Sequence, residues 1–156
     1  MKGLKLARDT MTDRVRKPEK YDSLLKLLKD EEKVFSSYKD ILVFAACLAK
    51  SRGQIREQFS KSSEPIPIHV FNGEFDVAVM NSIAITEPDE CEVHFLSDDN
   101  HDRKVLIFEE YAAAGLKIIS EEVLGRGKSI LDSFVELLAD EEADSSVIDD
   151  ISSLTL

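Results

Sequence analysis

Tyr38-Lys39-Asp40-Ile41-Leu42-Val43-Phe44-Ala45-Ala46-Cys47-Leu48-Ala49 is the stretch on which the fold class turns. Tyr38, Ile41, Leu42, Ala45, Leu48 and Ala49 recur at the spacing that makes one apolar stripe on a helix. Val43, Phe44, Ala46 and Cys47 widen that stripe until the helix is apolar nearly all round. Such a helix belongs in the middle of a domain or between two subunits. Ser37, three residues before Asp40, supplies a variant capping box with Asp in place of the preferred Glu. Gly53 supplies the C-terminal stop. Tyr38, Phe44 and Leu48 are the candidate interface residues of this segment. Cys47, isolated in an apolar run, reads as a small buried hydrophobe.

The same periodicity extends outward. Pro18 suits the first position of a helix that carries Tyr21, Leu24, Leu25 and Leu28 at offsets 0, 3, 4 and 7 and ends near Asp30. Ser60 to Pro67 reads as a loop, and Ile66, Ile68 and Val70 alternate as a short edge strand near residues 66–71. Glu74 to Thr86 predicts a third helix with Phe75, Val79 and Ile83 in register, closed by Pro88. Cys91 to Leu96 fits either a strand or a helical turn. Asp102 to Leu124 is the longest helical pattern, carried by Leu106, Phe108, Tyr111, Leu116, Ile119 and Val123, with Gly115 a weak point inside it. After the Gly125-Arg126-Gly127 turn, Ile130, Leu131, Phe134, Leu137 and Leu138 define a last helix, opened by Ser129 with Asp132 three residues on. The expected architecture is mainly α: a compact helical domain of about five helices with a minor short β element.

The chain has 156 residues, of which 43% are hydrophobic, enough for one domain with a core that needs neither disulfide nor metal. Residues 1–13 read as a flexible basic arm, 14–139 as a single helical domain, and 140–156 as an acidic disordered tail. Met1 to Lys20 has no long apolar stretch, so neither a signal peptide nor a membrane span is expected, and a cytoplasmic location follows by default. The net charge of −11 is uneven: residues 1–20 carry seven basic and three acidic side chains, whereas residues 140–150 carry six acidic and no basic ones. An acidic body repels phosphate and argues against wholesale nucleic-acid binding. Only the basic head, through Arg14, Arg16, Lys17 and Lys20, leaves a DNA or partner contact open.

Several strings imitate known sites. Asp98-Asp99-Asn100-His101-Asp102 with Glu109 matches much of a calcium loop, but the sixth place, which requires glycine, is Arg103. The segment reads as a solvated acidic turn capping the long helix. Gly127-Lys128-Ser129 resembles the end of a phosphate-binding loop, yet Glu122 stands where the first glycine belongs. His69, His94 and His101 lack zinc spacing, leaving only a dispersed set such as His94, Cys91 and Asp98. No catalytic constellation and no cofactor is expected. Arg14-Val15-Arg16-Lys17 followed by two helices has the order of a ribbon-helix-helix module, a dimer that inserts paired strands in the major groove. A solvated basic arm, or one that contacts the acidic tail, is the competing reading.

Asp13-Arg14-Val15-Arg16-Lys17-Pro18, Tyr38 to Ala46, Glu64-Pro65-Ile66-Pro67-Ile68, and Phe108-Glu109-Glu110-Tyr111-Ala112 with Gly115-Leu116 occur in that order. Together they resemble a family of small proteins encoded beside DNA phosphorothioation genes, the Dnd-system-associated proteins of the fourth type. The resemblance covers about residues 13 to 124 and leaves the last helix and acidic tail outside. It implies a role in a bacterial or archaeal modification-restriction defence system but no particular activity; together with the over-apolar second helix and the acidic surface it favours an accessory or regulatory protein that acts by binding other proteins of that system. A homodimer and a DNA contact through the basic segment are the further partners it leaves open. It carries over no catalytic residue.

Overall fold

The computed structural model describes residues 12–87 and 96–152. Among them run β1 (Arg14–Pro18), α1 (Asp22–Lys26), α2 (Tyr38–Ser51), β2 (Ser62–Pro67), α3 (Asp76–Ile85), α4 (His101–Val123) and α5 (Ile130–Ser152). The protein is mainly α-helical with a small two-stranded antiparallel sheet. It divides into two compact units, residues 1–117 and 118–156, with the division inside α4. Most of the expected basic arm (residues 1–11), together with Cys91 and His94, lies outside the described residues.

In the first unit, β1 pairs with β2, with Val15 opposite Ile66 and Pro18 opposite Ser62. The strand expected near 66–71 therefore lies earlier, within the stretch read as a loop, and Ile68–Val70 form a 3-10 turn. Pro65 and Pro67 are tolerated because a two-stranded ribbon has no central strand whose N–H groups must all pair. The ladder is irregular between Val15 and Lys17, so Arg16 has no register partner on β2. Pro18 ends the strand rather than starting α1, and a 3-10 turn over Glu19–Tyr21 leads into the helix. The helix continues as a π turn over Leu27–Glu31. Tyr21, Leu24, Leu25 and Leu28 are all buried, as their spacing requires.

The ends of α2 are built locally. Ser37 has extended backbone, and its Oγ accepts from the Asp40 N–H at 3.2 Å. The Ser37 hydroxyl also lies 2.8 Å from Asp40 Oδ2, so the acid closes on the side chain of the cap rather than on its backbone. At the other end Gly53 takes φ 62°. Its N–H donates to the Lys50 carbonyl and that of Gln54 to the Ala49 carbonyl, the paired bonds of a Schellman stop. Ile41, Leu42, Ala45, Ala46, Leu48 and Ala49 are buried, but Cys47 is exposed. The thiol sits on the face shared by Asp40, Phe44 and Ser51, which α2 does not turn to the core; the expected buried cysteine is corrected.

The most completely buried helix is α4, not α2. Val105, Ile107, Phe108 and every residue from Ala112 to Leu116 are buried, while Leu106, expected to pack, is 40% exposed. Gly115 touches α2 directly: a Cβ there would stand 1.8 Å from the Ala45 carbonyl oxygen. The apparent weak point is the place where two backbones meet. Phe71 meets Phe108 edge-on at 5.8 Å.

In the second unit, Gly127 adopts φ 63° in the turn before α5, and Ser129 Oγ accepts from the Asp132 N–H at 3.1 Å. Ser133, Phe134 and Leu137 are buried; Leu131, Val135 and Leu138 are exposed. The helix continues to Ser152, through residues read as a disordered tail. No glycine or proline interrupts Ile130 to Ser152, so nothing in the covalent chain forces a stop at Asp140. Among the described residues, no helix is long and apolar enough to cross a membrane.

Candidate functional site

The basic segment is largely consumed inside the first unit. Glu109, on α4, is buried, and both of its oxygens face Arg16. The Arg16 N–H donates to Oε1 at 2.8 Å, Nε donates to Oε2 at 2.9 Å, and Nη2 lies 2.8 Å from Oε2. The guanidinium also lies over the Phe59 ring, 4.6 Å from its centroid. Lys17 is buried with its ammonium 4.3 Å from the Tyr38 ring. Lys20 pairs with Glu57, which also accepts from the Tyr21 hydroxyl. Arg14 remains 55% exposed, 3.9 Å from Asp13. The strand that a ribbon-helix-helix dimer pairs between chains is here paired within one chain, to β2.

The three candidate interface residues are separated. Leu48 is core. Tyr38 is half-buried, donating to Asp30 Oδ2 at 3.1 Å, and Lys17 and Lys29 lie against its ring. Phe44 is half-buried, 5.5 Å from Phe35. Of the three, Phe44 lines a concave surface.

That surface is a groove between α2 and α3, made of two adjoining hollows of about 400 Å³ and 390 Å³. Val43, Phe44, Asn72 and Asp76 line one hollow; Ala78, Val79, Ser82 and Ile83 line the other; Cys47 and Phe75 belong to both. Phe75 is 66% exposed. Its position is fixed by Asn72, whose Oδ1 accepts from the N–H groups of Glu74 at 2.8 Å and Phe75 at 3.3 Å. The Phe75–Val79–Ile83 stripe exists, but it faces the groove at its N-terminal end. The side chains α3 buries are Asp76, Met80, Ile83 and Ala84.

Charges frame the apolar floor. Lys39 Nζ donates to Asp76 Oδ2 at 2.8 Å, and the same carboxylate accepts from the Asn72 N–H at 2.6 Å. The bond to Asp76 holds the Lys39 ammonium above its ordinary range, against the opposing effect of burial. Lys50 and Glu74 mark the far end. Burial raises the Cys47 pKa, so the groove holds a neutral thiol at pH 7 rather than a reactive thiolate. Sequence spacing identified the stripe on α3 and the width of α2; it gave no sign that Phe75 and Cys47 would share a hollow.

The imitated motifs are dispersed. Asp102 accepts from the Thr12 N–H, and Glu109 faces Arg16, so two of the calcium-loop oxygens are engaged away from any common centre. Lys128 and Arg126 both bind Glu136, and Ser129 caps α5. A further polar cluster ties α2 to α4: Lys50 Nζ is 3.2 Å from the Tyr111 hydroxyl, which donates to Glu87, while Arg56 lies 3.7 Å from Glu87 and 3.6 Å from Glu110. Its members satisfy one another.

The family model described as DNA sulphur modification system-associated protein 4 matches residues 14–154. The match takes in α5 and the acidic segment, which the sequence resemblance had left outside. No curated protein matches the chain, and no solved structure does. The chain belongs to the family of DNA sulphur modification system-associated protein 4.

Proposed function

We propose that the chain is an accessory protein of a DNA sulphur modification-linked defence system and works by holding another protein of that system in the α2–α3 groove. The observation that carries this reading is Phe75: a large aromatic side chain held two-thirds exposed above an apolar hollow. Aromatic anchors in or beside pockets dominate the energy of many protein interfaces. Exposed apolar surface of this kind is stabilised when a partner covers it. The charges of Lys39, Asp40, Lys50 and Glu74 at the ends of the groove would set orientation more than affinity. The fitting partner segment presents one bulky apolar side chain to the hollow around Cys47, with polar groups on either side.

The reading is tested by co-purification with the products of the neighbouring genes, comparing the wild type with Phe75→Asp. Phe75→Asp is expected to abolish capture while leaving the thermal midpoint nearly unchanged, since an exposed side chain shifts stability by no more than about 0.5 kcal/mol. Equal capture by the variant, or no capture by the wild type, would remove this reading. A DNA-binding role has weaker support. It would rest on Arg14 and the exposed part of Lys20, because Arg16 and Lys17 are engaged within the chain.

A further inference from the structure

The second unit carries an apolar stripe that no feature of the groove explains. Leu131, Val135 and Leu138 are 61%, 58% and 47% exposed, and they stand at i, i+4 and i+7 on α5. That spacing sets them on one line of the helix, away from the buried Ser133, Phe134 and Leu137. The line is roughly 10 Å long, about two helical turns, which is the length over which an amphipathic partner helix sets its apolar anchors.

Charge around the stripe selects what covers it. Residues 118–156 carry ten acidic and two basic side chains, and α5 itself carries no basic one. The two basic side chains, Arg126 and Lys128, both bind Glu136. Asp132 stands three residues before Val135, on the flank of the stripe; it is exposed, and its carboxylate has no ion-pair partner among the described residues. A helix laid over Val135 takes that carboxylate out of water. An apolar or acidic occupant would leave it desolvated without a counter-charge, which works against the gain from covering three aliphatic side chains. A lysine or arginine beside the apolar positions removes that cost, and the negative field of the unit draws it in. The same field repels a second α5 and the phosphates of nucleic acid. We propose that the α5 stripe docks a basic amphipathic helix of another protein, with aliphatic side chains over Leu131, Val135 and Leu138 and a cation against Asp132.

The probe is a helical peptide of about 18 residues with a line of leucines flanked by lysines, its binding to the full chain read by fluorescence anisotropy. Two control peptides have the same length: one has glutamate in place of each lysine, and the other has the leucines and lysines shuffled off any single face. The lysine peptide is expected to bind with a Kd on the order of 10 µM, and each control about tenfold more weakly or worse. Raising the salt from about 50 mM to about 300 mM should weaken binding severalfold. Val135→Asp should cost about tenfold in affinity, with unchanged helical circular dichroism. Asp132→Lys should narrow the gap between the lysine and glutamate peptides about fivefold, which separates recognition at this flank from general attraction to an acidic protein. No binding of the lysine peptide would overturn the proposal, as would equal binding of the shuffled one, indifference to Val135→Asp, or a gap unmoved by Asp132→Lys. Sedimentation of the chain alone gives one more outcome: self-association that Val135→Asp abolishes would name a second copy as the occupant and overturn the proposal too. Phe75→Asp should leave peptide binding unchanged, so failure here is distinct from failure of the groove reading.

Discussion

Gly115 and Arg16 show how single residues carry this structure. A methyl group at position 115 would lie within 1.8 Å of the Ala45 carbonyl oxygen, and that neighbour is helix backbone, which cannot swing aside. Gly115→Ala should therefore destabilise the protein by about 3 kcal/mol despite the better helix propensity of alanine, read as a lowered urea midpoint. A gain in stability would mean that the two helices do not touch there. Arg16 is the main partner of a buried carboxylate. Arg16→Ala should cost about 3 kcal/mol by leaving Glu109 buried with chiefly a backbone donor. Arg14→Ala should cost less than about 0.5 kcal/mol. Similar unfolding curves for the two variants would contradict the inward placement of Arg16.

At the scale of elements, each helix combines a local instruction with a tertiary one. The cap of α2 is local: Ser37→Ala removes the acceptor for the Asp40 N–H and should cost about 1 kcal/mol. Ser37→Asn should recover most of that loss, because its Oδ1 can accept the same bond without setting a second carboxylate against Asp40; thermal melts of the three proteins distinguish the outcomes. The start of α3 is governed similarly by Asn72, but the face that α3 buries is not a local matter. Its apolar residues lie nearly all round, so spacing alone does not choose between Phe75 and Met80 as the inward side chain. The displacement of β2 has a related cause. Alternation favoured Ile66, Ile68 and Val70, whereas pairing with β1, far away in sequence, selected Ser62–Pro67.

At the scale of the whole molecule, acid stability follows from carboxylates whose charged forms the fold favours. Burial works to raise the Asp40 pKa, but hydrogen bonds from Ser37, Lys39 and Ser36 outweigh it and hold the pKa below 3.8. Asp102 is lowered chiefly by the Thr12 N–H. A folded pKa below the unfolded one stabilises the fold at pH values above the unfolded pKa, and that contribution is lost as pH falls through the folded value. Urea midpoints should accordingly fall as pH drops below about 3.8. Asp40→Asn should be less stable than the wild type at pH 6, and the gap should narrow toward pH 3. A constant gap across that range would show that the Asp40 charge contributes nothing.

The helical class, the caps at Ser37 and Ser129, the stop at Gly53 and the buried stripe Tyr21–Leu24–Leu25–Leu28 are legible in the order of the residues. Each depends on contacts within a turn or two, which fixed spacing encodes. Family membership was legible for the same reason, since short strings kept their order along the chain. That Arg16 serves Glu109, 93 residues away, and that Gly115 is a contact rather than a flaw emerge only when distant segments pack together. The same packing places Cys47 and Phe75 at one hollow and leaves Leu131, Val135 and Leu138 uncovered. These outcomes depend on which face of each element meets which neighbour. Periodicity shows that a face exists without showing what covers it.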